Sequence, residues 1–251
     1  DPVLCYYIDG ENHIAHSRND LIDQINAMRG RFRTYSDYAE ATFEESFLEE
    51  ELSDAYVVKS ETFANSYLEN LGNGKFRLHE FPRLAQIAPL YGITVGDYNQ
   101  DNYLDVLGVG NFYSGEVFSG RYDASIGWLL EGNGKGSFTL RDVKESGFFV
   151  HGDAKSLVNI VSGDSELTLA SINNGSIKTH VRSLSEYDVY KPKSDEVAAV
   201  IKLKDGTARK IEFDYGGGYL SQGSRILIIP TQATSVLIID QFGKQTEILP
   251  L

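Results

Sequence analysis

Four oxygen-bearing side chains, Asp97, Asn99, Asp101 and Asp105, stand at positions 1, 3, 5 and 9 of one short polar stretch. Alternate residues of a tight loop point the same way, so these side chains can converge on one point. The carbonyl of Tyr103, at position 7, adds a fifth donor. All are hard oxygens with no Cys or His among them, which suits Ca2+ rather than Zn2+. The stretch departs from an EF-hand at two places: position 6 is Asn102 instead of Gly, and position 12 is Gly108 instead of Glu. Its flanks, Ile93-Thr94-Val95 and Val106-Leu107, are β-forming rather than helical. The residues therefore describe either a cation loop between two strands or a polar turn without metal.

The elements that must position this loop follow from pattern. Upstream, residues 1–8 read as a strand ended by Asp9-Gly10, a good turn signal. Leu21, Ile25, Met28 and Phe32 recur at helical spacing, and Ser17 followed by Asp20 resembles a capping box. A second helix is expected over residues 36–47, so that 17–55 forms a helical insertion in a β protein. Strands are expected at Ala55-Tyr56-Val57-Val58 and over 65–70. Gly72-Asn73-Gly74 between apolar runs is a hairpin signal. It recurs as Gly132-Asn133-Gly134, and Phe76 and Phe138, which close the two turns, mark an internal repeat. Gly152-Asp153 keeps the start of Gly96-Asp97 without the later carboxylates, a degenerate copy expected to hold no metal. Asp1 aligns with Asp105 and reads as the end of a truncated copy. Residues 183–195 read as a linker, and 196–251 as a further set of strands around the glycine cluster Gly216-Gly217-Gly218.

Composition narrows the function. With 36 acidic against 23 basic residues the net charge is −13, which disfavours nucleic acid and anionic membranes, since phosphate contacts need a basic face. No apolar run reaches the length of a transmembrane helix. The single cysteine, Cys5, lies in an apolar run and reads as a small buried residue. His13 and His16 form H-x-x-H without the Glu of a zinc protease. Ser221 has no nucleophile-elbow context.

The strand–loop–strand pattern at 97–105, with the N-G-K-F turn at 73–76 and the N-G-K-G-S-F turn at 133–138, resembles the FG-GAP/VCBS repeats of β-propellers, the repeat also found in integrin α-subunits. The Gly110-Asn111-Phe112-Tyr113 and Gly120-Arg121-Tyr122-Asp123 segments resemble large bacterial proteins of that kind. Tyr215 to Gln222, with its strands, resembles the ASPIC/UnbV domain that often follows such repeats. The resemblance implies a mainly β chain. Residues 1–182 would form about three blades of a partial propeller with the helical insertion, and 183–251 a small β domain. It implies an extracytoplasmic, non-enzymatic Ca2+-binding module at a bacterial cell surface or in the periplasm. Such a module would bind surface protein or glycan, by itself or as a subunit of an outer-membrane complex. Tyr113, Arg121 and Tyr122 form a candidate ligand patch, against the simpler reading that Arg121 braces the loop. Three blades leave open edges, so the rest of the ring is expected from a longer chain or another chain. The alternative is a polysaccharide-active enzyme on a propeller scaffold.

Overall fold

The structure is a computed structural model that describes residues 2–115, 117, 120–218 and 221–248. The chain is mainly β and divides into two compact units, Asp1–Thr62 and Phe63–Leu251. The division falls well before the 182/183 boundary read from the sequence.

In the first unit β1 (Cys5–Ile8) pairs antiparallel with β2 (Glu11–Ile14). Asp9 and Gly10 join them at φ 51° and 97°, the left-handed pair that suits a two-residue hairpin turn. Helices α1 (Arg18–Gln24), α2 (Met28–Arg31), α3 (Tyr35–Glu40), α4 (Phe43–Ser46) and α5 (Glu49–Leu52) follow. The Ser17 side chain caps α1 through the Asp20 amide, as expected. The two longer helices of the sequence reading are instead broken into short ones. Ile25 is extended after α1, and capping boxes at Thr34 and Thr42 each start a new helix. The apolar spacing still finds its core: Leu21, Ile22, Met28 and Phe32 are buried together. Two other expectations fail. Cys5 is exposed. Tyr56, Val57 and Val58 form no strand and are 92%, 70% and 73% exposed, for no neighbouring strand pairs with them. The Asp1 copy lies outside the described residues.

The acidic run Glu49-Glu50-Glu51 is not merely solvated. Arg31 grips Glu51 with two bonds of 2.8 and 2.7 Å, a bidentate pair. The Glu51 carboxyl is thereby pulled down from 4.5 to about 2, by the Arg31 hydrogen bond first and the Leu48 amide second. A depressed carboxyl stabilises the fold above its unfolded value and loses that contribution as acid protonates it. Helix α5 is therefore expected to loosen as pH falls from 4.5 toward about 2. Far-UV circular dichroism should show this step in the wild type, and Glu51→Gln should flatten it. An unchanged acid profile in the variant would remove the pair's role.

The second unit opens with the hairpin β3 (Ser66–Gly72) and β4 (Lys75–Glu80), turned at Asn73 and Gly74. Next comes a four-stranded antiparallel meander: β5 (Leu90–Gly96), β6 (Asp105–Gly110), β7 (Trp128–Gly132) and β8 (Phe138–Arg141). After α6 (Val143–Ser146) follow β9 (Ala154–Ser162), β10 (Ser165–Ile172) and β11 (Lys178–Ser183), a three-stranded sheet. Residues 183–195 are more than a linker. They contain β12 (Asp188–Tyr190), which finds its partner 37–41 residues away in β15. The remaining strands are β13 (Glu196–Leu203), β14 (Ala208–Glu212), β15 (Leu227–Ile229), β16 (Ala233–Asp240) and β17 (Gln245–Ile248). Of these, β14, β13, β16 and β17 form a sheet in that order.

Strand β6 is buried along its whole length because alternate residues serve two cores. Val106 packs with Leu130, Trp128, Phe81 and Ala85 on one face. Leu107 and Val109 pack with Leu129, Phe148, Val150, Leu157 and Ala170 on the other. The meander is thus sandwiched between the β3–β4 hairpin side and the β9–β11 sheet. Gly92 makes the second contact possible: a Cβ there would lie 2.5 Å from the Leu157 nitrogen of β9. The C-terminal strands close on a core of their own around Ile201, Val236, Leu227 and Ile238.

The glycine-rich segment serves an edge. The Ser224 amide donates to the Asn159 carbonyl at 2.8 Å, and the Val161 amide donates to Ser224 Oγ at 2.9 Å. Both partners lie on β9, the outer strand of its sheet, so the segment occupies backbone groups that an edge strand would otherwise present for foreign pairing. Tyr219 and Leu220 of the Y-L-S-Q motif lie outside the described residues.

Candidate functional site

The 97–105 loop joins β5 to β6, as the apolar flanks require. Its short polar residues fold back on their own backbone. Asp97 accepts the amides of Asp101 (3.1 Å) and Asn102 (3.0 Å). Asn99 Oδ1 accepts the Asp101 amide at 3.0 Å, and Asp101 Oδ1 accepts the Tyr103 amide at 2.8 Å. Gln100 and Asn102 take left-handed φ of 67° and 70°. Asn at position 6 thus does the conformational work that glycine does at that position of an EF-hand loop, since Asn tolerates this region.

Asp105 behaves differently from the other three. It is fully buried. One carboxylate oxygen accepts the amides of Tyr98 (2.8 Å) and Asn99 (3.3 Å), and the other accepts that of Gly132 (2.9 Å). It ties the start of the loop to the end of β7. Burial pushes the carboxyls of Asp97 and Asp105 up, against the loop amides that pull them down, and the charge of Asp101 adds to the rise.

Two arginines from distant strands complete the loop. Arg182 on β11 donates to the Asp97 carbonyl and pairs with the buried Glu166 through bonds of 2.9 and 2.5 Å. Its guanidinium lies 4.8 Å from the Tyr98 ring centre. Arg209 on β14 donates to the Asn102 carbonyl. Neither residue is near the loop in sequence, and no local motif announces them.

For Ca2+ the chemistry of the donor set fits: every available group is a carboxylate, amide or carbonyl oxygen. An ionised carboxylate has about four lone-pair sites, so the amide bonds described do not exhaust Asp97, Asp101 or Asp105. As placed, no group of three or more His, Cys, Asp or Glu side chains among the described residues is gathered tightly enough to hold a metal. Asp97, Asn99, Asp101, Asp105 and the Tyr103 carbonyl would hold the ion.

Asp153, of the Gly152-Asp153 segment, is answered by a protein cation. Asp153 is 2% exposed, and the Lys155 ammonium lies 2.6 Å from its Oδ1. That oxygen has no directed hydrogen bond, so the contact is chiefly Coulombic. Lys155 also donates to the Asn111 carbonyl at 2.9 Å and stands 3.9 Å from the Tyr91 ring centre. Asn111 is itself fully buried, holding the Ser125 and Gly152 carbonyls at 2.8 Å each.

The candidate patch is brought together locally. Phe112 and Tyr122 exchange backbone hydrogen bonds of 2.8 and 2.9 Å, and the Arg121 guanidinium stacks 4.9 Å from the Tyr113 ring centre. Arg121 is thus engaged by Tyr113, while Tyr122 stays 48% exposed. Elsewhere a shallow groove of about 490 Å3 runs past His79, Glu80 and Phe138. His79 lies 2.7 Å from Glu69 and stacks flat on Tyr67, whose hydroxyl donates to the Gly136 carbonyl. These contacts hold the hairpin. No family model matches the sequence, and a search of curated proteins finds no match.

Proposed function

We propose that the chain is a non-enzymatic, Ca2+-stabilised interaction module of the FG-GAP/VCBS kind, with an ASPIC/UnbV-like C-terminal region, acting outside the cytoplasm. The observation that carries the reading is the 97–105 loop. Three hard-oxygen side chains fold around one short turn between adjacent strands of the central meander. Two of the loop's carboxyls are pushed up by burial, so a divalent cation would supply charge the site lacks. Its role would be structural: closing the loop at the centre of stacked sheets. The sheets would act as part of a propeller, and the other blades would come from elsewhere in a longer chain or from a partner. Surface protein or glycan is the expected ligand, with Tyr122 the exposed ring of the patch.

A ligand that binds only the folded state raises stability with its concentration. Ca2+ at about 100 times its dissociation constant should therefore add about 2.7 kcal/mol, seen as a higher melting temperature that EDTA abolishes. Asp101→Ala should remove the response while the metal-free melting temperature changes little, because Asp101 sits on the exposed side of the loop. A wild-type chain indifferent to both Ca2+ and EDTA would sink the proposal.

A further inference from the structure

The two arginines that reach the loop differ in how their charge is answered. Arg182 is matched by Glu166, a buried carboxylate of its own sheet. The negative charge acting on Arg209 comes from Asp97 and Asp101 of the loop, with Asp205 of its own hairpin. Arg209 leaves β14, pairs opposite Ile201 on β13, and places its guanidinium on the carbonyl of Asn102, position 6 of the loop. The C-terminal sheet thus touches the oxygen-rich loop through a positive group.

We propose that Arg209 is a tethered counter-ion for the 97–105 loop, so that docking of the C-terminal sheet and entry of a divalent cation oppose one another. This rests on the reading of the loop as a cation site. Two positive charges drawn to the same carboxylates repel at short range. By linkage, whatever Arg209 costs the metal, the metal costs the Arg209 contact. Calcium would then do more than staple the loop. It would loosen the sheet β14–β13–β16–β17 from it and make the C-terminal region responsive to Ca2+.

Amide hydrogen exchange on the metal-free chain reads the docking directly. Arg209→Gln should speed exchange at residues 100–103 and along β14, and Arg209→Lys should fall between it and the wild type. Added Ca2+ should speed β14 in the wild type and have no further effect there in Arg209→Gln. Calorimetric titration with CaCl2 should show the Gln variant binding about 5- to 150-fold more tightly, the usual range of such couplings. Unchanged exchange in Arg209→Gln overturns the docking role, and equal Ca2+ affinities overturn the opposition. If neither chain binds Ca2+, the cation reading of the loop falls and the opposition with it. The metal-free exchange data still decide whether Arg209 docks the sheet.

Discussion

Asp105→Ala is expected to destabilise the second unit by about 3 kcal/mol or more. The carboxylate is wholly buried and accepts three backbone amides, those of Tyr98, Asn99 and Gly132. Removing it strands these donors, at about 1–3 kcal/mol for each one left buried without a partner. Part of the loss is offset, because burial holds the Asp105 carboxyl above its usual range and the variant no longer hides a charge there. Asp105→Asn should therefore be milder: it keeps one acceptor oxygen but turns an NH2 group toward an amide. Urea denaturation in EDTA isolates this effect from any metal. It can be followed by the fluorescence of Trp128, the only tryptophan, which lies in the core beside the loop's strand. Asp101→Ala serves as the control with little metal-free loss. If Asp105→Ala unfolds within about 1 kcal/mol of wild type, the carboxylate is not the tie that its hydrogen bonds describe.

That contrast between Asp105 and Asp101 shows where sequence reasoning reaches its limit. Spacing placed the loop correctly between two strands, because period-two apolar flanks and short polar residues are local signals. The two Gly-Asn-Gly hairpins and the Asp9-Gly10 turn were legible for the same reason: left-handed φ restricts the residue choice on the spot. Spacing also put Asp105 on a par with its neighbours, whereas its partner Gly132 lies 27 residues on. Arg182 and Arg209 reach the loop across 85 and 107 residues, and nothing near either one marks it. The misread segments have a shared cause. Tyr56-Val57-Val58 has strand propensity but no partner, and β12 has a partner that only the fold supplies. Strand propensity describes a fit to neighbours rather than a property of the segment alone.

Lys155→Met is expected to be about as damaging as Asp105→Ala, for the opposite reason. Here a buried negative charge loses the cation it pairs with. Burial would raise the Asp153 carboxyl, but the Lys155 contact, with the Asn173 side chain, holds it below its usual range. Breaking one side of a buried pair typically costs about 3–5 kcal/mol, because the other charge stays behind. The lost contact of the ammonium with the Tyr91 face adds about 0.5–2 kcal/mol. Replacing both partners removes the stranded charge, so Asp153→Asn combined with Lys155→Met should recover most of the loss. The single variant should also regain stability as pH falls, since protonation neutralises the abandoned Asp153. Denaturation midpoints for wild type, both singles and the double, at two pH values, give the coupling directly. Additive losses, or a Lys155→Met deficit that does not shrink in acid, would mean that the ammonium is not the counter-charge of Asp153.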